Sequence, residues 1–306
     1  MLKKLPINLL LILTTLYWSV KHIYPDKPVF TSGKRISLQL HLKRFSRLEP
    51  KNFKKKHSFQ KQIIKSILGA LHTLKSKPFS GPEMSDITFT KFILKNTYRE
   101  AAFLQPRTNR VPVTFRRLFD PDLAYADLTK VKTNNLPHNY NAWVIYAVNR
   151  QLSELPDWWT RIVMYQGSKN GYSLTHRYIA LRMQKYCFPA YTFPKDFYLA
   201  MTMLLKQIKN KIPQTVSNTD LLAEQLALVI SAGQYGLEIE KKIRLLLEQQ
   251  RDDGLWVRRP RTGKANAHTT YLCLWALTAC QVLQQYGPQG ITKHLTFHGI
   301  FSEGGR

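Results

Sequence analysis

The sequence predicts an all-α protein built from helical hairpins, in which deeply buried helices alternate with more polar ones. Apolar stretches of helix length, separated by polar or Gly/Pro-containing turns, follow one another after Asn134. The most apolar of them begin roughly forty to fifty residues apart, which is the period of stacked helix pairs. One pattern, glutamine followed by glycine, an aromatic residue and histidine, occurs twice. We therefore predict that residues 135–285 are helical with almost no strand.

The N-terminus, residues 1–24, is predicted to be a signal anchor. A basic start is followed by the apolar run Leu5–Val20, which has roughly the length of a signal sequence. No Ala-x-Ala-like cleavage site follows it, so we expect an uncleaved membrane-anchor helix. A single N-terminal anchor would then hold the protein at a membrane, with the bulk of the chain outside the cytoplasm.

Residues 25–82 are predicted to form a basic juxtamembrane segment. The formal net charge of the chain is +27, and up to Pro82 its only acidic residues are Asp26 and Glu49. This charge predicts contact with lipid headgroups, nucleic acid or an anionic polymer, with a merely solubilising polycation as the alternative. Hydrophobic residues make up 44% of the chain, which excludes a wholly disordered protein.

One amphipathic helix is predicted inside this segment, over residues 58–74. Its apolar side chains recur at helical spacing and form one stripe. We expect the stripe to pack against the rest of the protein, with a position on an anionic membrane surface as the alternative. The residues of the stripe are Ile63, Ile64, Ile67, Leu68 and Leu71.

Residues 83–300 are predicted to form the helical domain, beginning with a helix over 88–103. Beyond it, four stretches rich in small and apolar residues predict buried inner helices, and three more charged stretches predict an outer layer. Asn, Ser or Thr at the starts can cap free N–H groups, and Pro156 and Pro194 suit first turns. The inner stretches are 140–152, 173–187, 219–232 and 267–280, and the outer ones are 156–166, 194–208 and 237–250.

The repeated pattern predicts how an outer helix is joined to the next inner one. One copy, QGSKNGY, begins at Gln166 and precedes His176; the other, QRDDGLW, begins at Gln250 and precedes His268. In both we expect the glutamine to close an outer helix and the glycine to take a positive φ in a turn. The histidine is then expected to open an inner helix.

The second copy resembles motifs of two enzyme families. Gln250-x-x-x-Gly254-x-Trp256 is similar to the Gln-Trp repeat of triterpene cyclases, and His268-Thr-Thr-Tyr is similar to a helix start of protein prenyltransferase β subunits. Both families are α/α toroids, in which an outer ring of helices covers inner helices around a cavity. The resemblance implies an α/α toroid or partial toroid for about the C-terminal half of the chain.

The activities of those families are not implied. Triterpene cyclases use an Asp-x-Asp-Asp motif, which this sequence lacks. Prenyltransferases ligate zinc with an Asp-x-Cys pair upstream of the histidine, and no cysteine lies between Cys187 and Cys273. Other toroids are polysaccharide lyases or hydrolases, and some only bind, so the fold leaves the reaction type open.

The N-terminal ends of the inner helices are the predicted site, because they converge in a toroid and carry polar residues here. Two imidazoles and a carboxylate suit either an acid/base pair acting with a tyrosine or a divalent metal such as zinc. The alternative at each position is an ordinary cap or structural residue. The candidate catalytic residues are His176, His268, Asp220, Glu224, Tyr178 and Tyr271, and the candidate metal ligands are His176, His268 and Asp220.

Positive charge is expected beside the same helix ends. Helix N-termini carry partial positive charge, and a basic loop precedes the last inner helix. An anionic small molecule or polymer is the ligand that this charge favours. The candidate ligand-binding residues are Arg258, Arg259, Arg261 and His138.

We therefore expect a membrane-anchored helical protein with a ligand-binding or catalytic pocket at these helix ends. The first alternative is a non-catalytic membrane-associated binding or scaffold module. The second is nucleic-acid binding through the basic surface, against which the sequence lacks basic motifs interleaved with aromatic residues.

Overall fold

Helices form all the regular structure in the part of the chain that the computed structural model describes: residues 53–76, 112–118, 122–130, 139–167, 170–260 and 263–294. No β-strand occurs within these ranges, which confirms the all-α prediction, and one isolated antiparallel bridge joins Gln250 to Trp256. The predicted anchor over 1–24 and the predicted helix over 88–103 lie outside the described residues.

Eight α-helices and three short 3-10 helices lie in the described part of the chain. Two 3-10 helices, Val113–Leu118 and Leu128–Lys130, precede α2, and a third, Leu152–Glu154, follows it. None of the described helices combines the length and apolarity that crossing a membrane requires. The α-helices are α1 (Phe53–Ser76), α2 (Tyr140–Asn149), α3 (Asp157–Thr160, continued by the π-helical turn Arg161–Tyr165), α4 (Gly171–Cys187), α5 (Lys195–Asn210), α6 (Thr219–Ser231), α7 (Leu237–Glu248) and α8 (Ala267–His294).

Burial separates these helices into two layers. Helices α2, α4, α6 and α8 bury most of their described residues, and α6 buries nearly all of them. Helices α5 and α7 bury one face only, as amphipathic outer helices should. The alternation of inner and outer helices after residue 139 therefore follows the prediction.

An asparagine caps each inner helix. Its side-chain oxygen accepts a backbone N–H of the first turn, which would otherwise lack a partner inside the helix. These bonds fix where the four helices begin. They run from the N–H groups of Asn141, Tyr172, Leu221 and Thr269 to Asn139, Asn170, Asn218 and Asn266, over 2.9–3.2 Å.

The inner helices α4, α6 and α8 are parallel neighbours. Near their starts, the Tyr172 hydroxyl of α4 donates to Asp220 of α6 over 2.9 Å, and Thr269 of α8 donates to the same carboxylate over 2.7 Å. Further along, the Trp275 indole of α8 donates to Ser231 at the end of α6 over 3.1 Å. Because starts contact starts and later turns contact later turns, the three helices run in one direction.

A buried arginine holds the other ends of two inner helices. Arg117 donates to the carbonyl of Val148 in α2 over 2.7 Å and to that of Cys187 in α4 over 3.3 Å. It also donates to the carbonyl of Leu123. A cation is favourable there because the C-terminal end of a helix carries partial negative charge.

Helix α1 packs its apolar stripe against α8. Ile63, Ile67 and Leu71 are fully buried in the same hydrophobic core as the hairpins, because this packing removes the apolar face of the helix from water. The expected packing of the amphipathic helix is thus confirmed. The helix of the predicted juxtamembrane segment shares its core with the predicted helical domain.

The turn after α7 is built around Gln250 and Trp256. The Gln250 amide donates to the carbonyl of Gly254 over 2.7 Å and to that of Ser66 in α1 over 3.0 Å. The buried Trp256 indole donates to the carbonyl of Leu246 over 2.9 Å. The Gln-Trp pattern therefore ties the end of an outer helix to its turn and to α1.

The two copies of the pattern are not equivalent, which corrects the prediction. Gly254 has the expected positive φ of 81°, but Gly171 is the first residue of α4. A Cβ on Gly171 would lie 2.6 Å from the Leu221 side chain, so glycine there permits close packing of α4 on α6. His176 consequently lies one turn inside its helix, whereas His268 is the second residue of α8.

Gly254→Ala is expected to destabilise the protein more than Gly263→Ala does. Both glycines have positive φ, which costs an L-residue about 1–2 kcal/mol. Only at Gly254 would the new Cβ also lie 2.9 Å from backbone atoms of Gly69, for which overpacking adds about 1–3 kcal/mol. Chemical denaturation measures both losses. Equal losses would show that α1 does not pack closely on the turn.

Candidate active site

The starts of α4, α6 and α8 bring polar side chains together in what we call the N-terminal rim, comprising Tyr172, His176, Asp220, Glu224 and His268. Tyr172 and Asp220 are the second residues of their helices, and His176 and Glu224 are one turn further along. Because α4 and α6 are parallel and in register, residues at equal positions face each other. The rim therefore contains two carboxyl groups and two imidazoles.

Asp220 joins three helices at the rim. Its side chain is 3% exposed. One carboxylate oxygen accepts the Thr269 hydroxyl of α8, and the other accepts the Tyr172 hydroxyl of α4. Burial raises the pKa of Tyr172 to about 12, with the charge of Asp220 adding to the shift, so its phenol remains a donor at neutral pH.

His268 faces the same carboxylate from α8. Its Nε2 lies 3.8 Å from Asp220 Oδ2, which is an ion-pair distance when the imidazole is protonated and too long for a hydrogen bond. The imidazole is half exposed, at 50%, while the carboxylate behind it is buried. A solvent-accessible imidazole beside a buried carboxylate is an arrangement that suits a general base.

His176 pairs with the second carboxyl group. Its Nδ1 lies 3.0 Å from the Tyr172 carbonyl and 3.4 Å from Glu224 Oε1. Because a carbonyl oxygen only accepts, that contact requires a proton on Nδ1, which leaves Nε2 as the acceptor of the neutral ring. The Tyr140 ring of α2 lies 5.2 Å from the imidazole, so α2 also contributes to this part of the rim.

Glu224 is the most deeply buried acid of the rim. Burial raises its pKa, and the positive charges of His176 and His268 act in the opposite direction. Its Oε2 atom is buried and makes no hydrogen bond in the described structure. A carboxyl group with a raised pKa keeps its proton to higher pH, and can then donate it.

The basic loop before α8 lies against this rim. The carbonyl of Arg258 accepts the Thr219 N–H at the start of α6 over 2.9 Å, and its guanidinium lies 5.9 Å from the centre of the Tyr172 ring. A hydrogen bond from Arg258 to Tyr172 raises the pKa of the guanidinium. Arg259 is exposed on the same loop, whereas Arg261 and His138 lie outside the described residues.

Two of the candidate catalytic residues lie in the core and outside the N-terminal rim. Tyr178 and Tyr271 lie almost fully buried in the hydrophobic core. A ligand at the exposed side of the rim would contact Tyr172 before either of them. Their role in acid/base chemistry stays a prediction.

Sequence reasoning missed Tyr172 and Asn218 as site residues. Tyr172 precedes His176 by four residues and therefore lies on the same helix face, a spacing that could have identified it. Asn218 donates its amide to the Tyr172 hydroxyl over 3.0 Å while capping α6. The contact of Asn218 with Tyr172 depends on the register between α4 and α6, which the sequence alone does not give.

The two imidazoles pair with different carboxyl groups. Among the residues that the structure describes, no group of three or more His, Cys, Asp and Glu side chains has the arrangement of a metal site. Zinc held jointly by His176, His268 and Asp220 stays a prediction.

Glu224→Gln is expected to gain stability relative to the wild type as pH rises above about 4.5, the ordinary pKa of the group. A carboxyl group with a raised pKa retains its proton longer when folded than when unfolded, so its ionisation lowers the free energy of unfolding as pH rises. The amide cannot ionise. Chemical denaturation over a pH series measures the difference.

Glu238→Gln is the control, and it is expected to lose stability relative to the wild type as pH rises. Lys241 lowers the pKa of this exposed carboxyl group, so the ionised group stabilises the folded state above its ordinary pKa. The substitution removes that stabilisation. A Glu224→Gln difference that stays constant with pH would contradict the raised pKa.

No protein-family model, curated protein or solved structure matches the chain, so its function is inferred from the chemistry of the rim.

Proposed function

We propose that the chain is a membrane-anchored protein of partial α/α-toroid fold, whose N-terminal rim binds an anionic ligand and transfers protons to and from it. The observation that carries the proposal is the meeting of two imidazole–carboxyl pairs at the starts of three parallel helices. An arginine of the adjoining loop lies against them.

The toroid is supported by the parallel inner helices and their outer partners. In such a fold each outer helix returns the chain so that the next inner helix starts at the same end. Helices α4, α6 and α8 follow this scheme, and α5 and α7 are the returning elements. The anchor is supported by the composition of Leu5–Val20.

An anionic ligand is supported by the charges around the rim. Arg258 and Arg259 are exposed on the loop, and His268 adds a third positive charge when protonated. The buried carboxyl groups offset these charges only in part, because Asp220 carries a single negative charge and burial favours neutral Glu224.

Distinct roles follow for the two pairs. His268 is accessible to solvent and lies beside buried Asp220, so it acts as the base that accepts a proton from the ligand. Glu224 is held toward its neutral form and lies against His176, so this pair supplies a proton.

Calorimetric titration of the purified full-length chain with inorganic pyrophosphate tests the site. Arg258→Gln is expected to weaken binding about tenfold, the loss typical of a charge-assisted hydrogen bond. Arg150→Gln is the matched control, because it removes the same charge from an exposed arginine at the other end of inner helix α2. The control should bind as the wild type does.

Equal weakening by the two substitutions would contradict the proposal. It would mean that pyrophosphate is held by the overall positive charge of the chain and not by the rim. No measurable binding to the wild type would contradict it too, and would favour the non-catalytic scaffold alternative.

A further inference from the structure

Helix α5 exposes apolar side chains on its outward face. Leu199 and Met203 are one turn apart, and they are 55% and 51% exposed. Lys195 precedes them by one turn and Lys206 follows them by one turn. These four residues lie on one line along the helix and are all exposed, so they form a single outward stripe with lysines at its ends. We call it the α5 stripe.

The opposite face of α5 fixes the direction of this stripe. Its residues are buried in the hydrophobic core, so the helix cannot rotate to hide Leu199 and Met203 without exposing them. The buried residues are Phe197, Ala200, Met201, Leu204, Leu205 and Ile208.

One exposed aromatic side chain extends the apolar surface. Tyr198 is exposed beside the stripe, and the Lys185 ammonium lies 5.3 Å from the centre of its ring. The surface therefore combines aliphatic groups, a phenol and lysines.

The other long outer helix has a different outward face. Along α7, Lys241 pairs with Glu238 and Arg244 pairs with Glu240, both over 2.6 Å. Leu237 is exposed at its first turn, without an apolar neighbour one turn later, where Lys241 stands. The helix carries three acids and three bases, whereas α5 carries Lys195, Lys206 and Lys209 against the single acid Asp196.

We propose that the α5 stripe docks on an anionic lipid surface. Leu199 and Met203 would enter the boundary between headgroups and acyl chains, and Lys195 and Lys206 would extend along the surface to lipid phosphates. Tyrosines suit the same boundary because they combine an apolar ring with a polar hydroxyl. Lysines near an anionic leaflet are attracted to it, and α5 carries three lysines against one acidic residue, so the charge of the helix is opposite to that of the surface.

Two features favour lipid over a protein partner. The apolar residues form a narrow line along one helix, which fits the plane of an interface but offers no groove for a partner's side chains. The lysines at both ends match a uniformly anionic surface better than a localised acidic patch. This docking does not depend on the ligand of the rim.

Site-directed spin labelling of the full-length chain in lipid vesicles tests the proposal. The three native cysteines are buried, so a label on Met203→Cys reports from the stripe. Leu237→Cys is the matched control, an exposed apolar position of α7. In vesicles containing phosphatidylglycerol, the label at 203 should lose access to a water-soluble nickel complex several-fold and gain access to oxygen. The label at 237 should not change.

Charge is tested in the same assay. Lys195→Gln combined with Lys206→Gln should restore much of the nickel access at 203, and so should vesicles of phosphatidylcholine alone. Lys241→Gln, which removes an exposed lysine from α7, should leave it unchanged.

Three outcomes would overturn the proposal. The label at 203 could remain as accessible to nickel as the label at 237 in anionic vesicles. It could be shielded equally in neutral vesicles, which would remove the role of the lysines. It could be shielded without vesicles and increasingly so with protein concentration, which would identify a second copy of the chain as the occupant.

Discussion

The buried carboxylate of Asp220 is the constraint on which the arrangement of the inner helices depends. A carboxylate with 3% exposure is costly unless its oxygens are hydrogen-bonded, and both donors come from other helices, Tyr172 of α4 and Thr269 of α8. Satisfying Asp220 therefore requires that α4, α6 and α8 start at one level. The same alignment of α4 and α6 brings His176 beside Glu224 one turn further along the two helices. Stability and the candidate chemistry thus share one set of contacts.

The two ends of the inner helices are stabilised by different kinds of hydrogen bond. At the starts, asparagine caps and Asp220 satisfy N–H and O–H donors. At the ends of α2 and α4, Arg117 supplies donors to carbonyl groups, which suits the partial negative charge there. Because the two ends are fixed separately, the rim can expose His268 and the basic loop to solvent while the helices beneath stay packed.

Local sequence patterns made the all-α class and the buried or one-sided character of single helices predictable. Apolar residues all round a stretch indicated α6 and α8, and one-sided patterns indicated α5 and α7, because helical periodicity is local. The prediction that the two sequence copies form equivalent turns was wrong at Gly171, which lies inside α4 and permits its close contact with α6. Glycine serves both purposes, and the sequence alone does not show which one applies. Tyr172 and Asn218 were missed because their roles depend on the register between α4 and α6. That register is set by packing and not by either segment alone.

Nitrogen-15 chemical shifts of the His176 imidazole test the organisation of the rim most directly. We expect the neutral ring to carry its proton on Nδ1, because that nitrogen lies 3.0 Å from the Tyr172 carbonyl and 3.4 Å from a carboxyl oxygen of Glu224. A freely solvated imidazole prefers the proton on Nε2, so the two states are distinguishable. A neutral His176 protonated mainly on Nε2 would contradict this organisation of the rim, since its contact with the carbonyl could not then be a hydrogen bond.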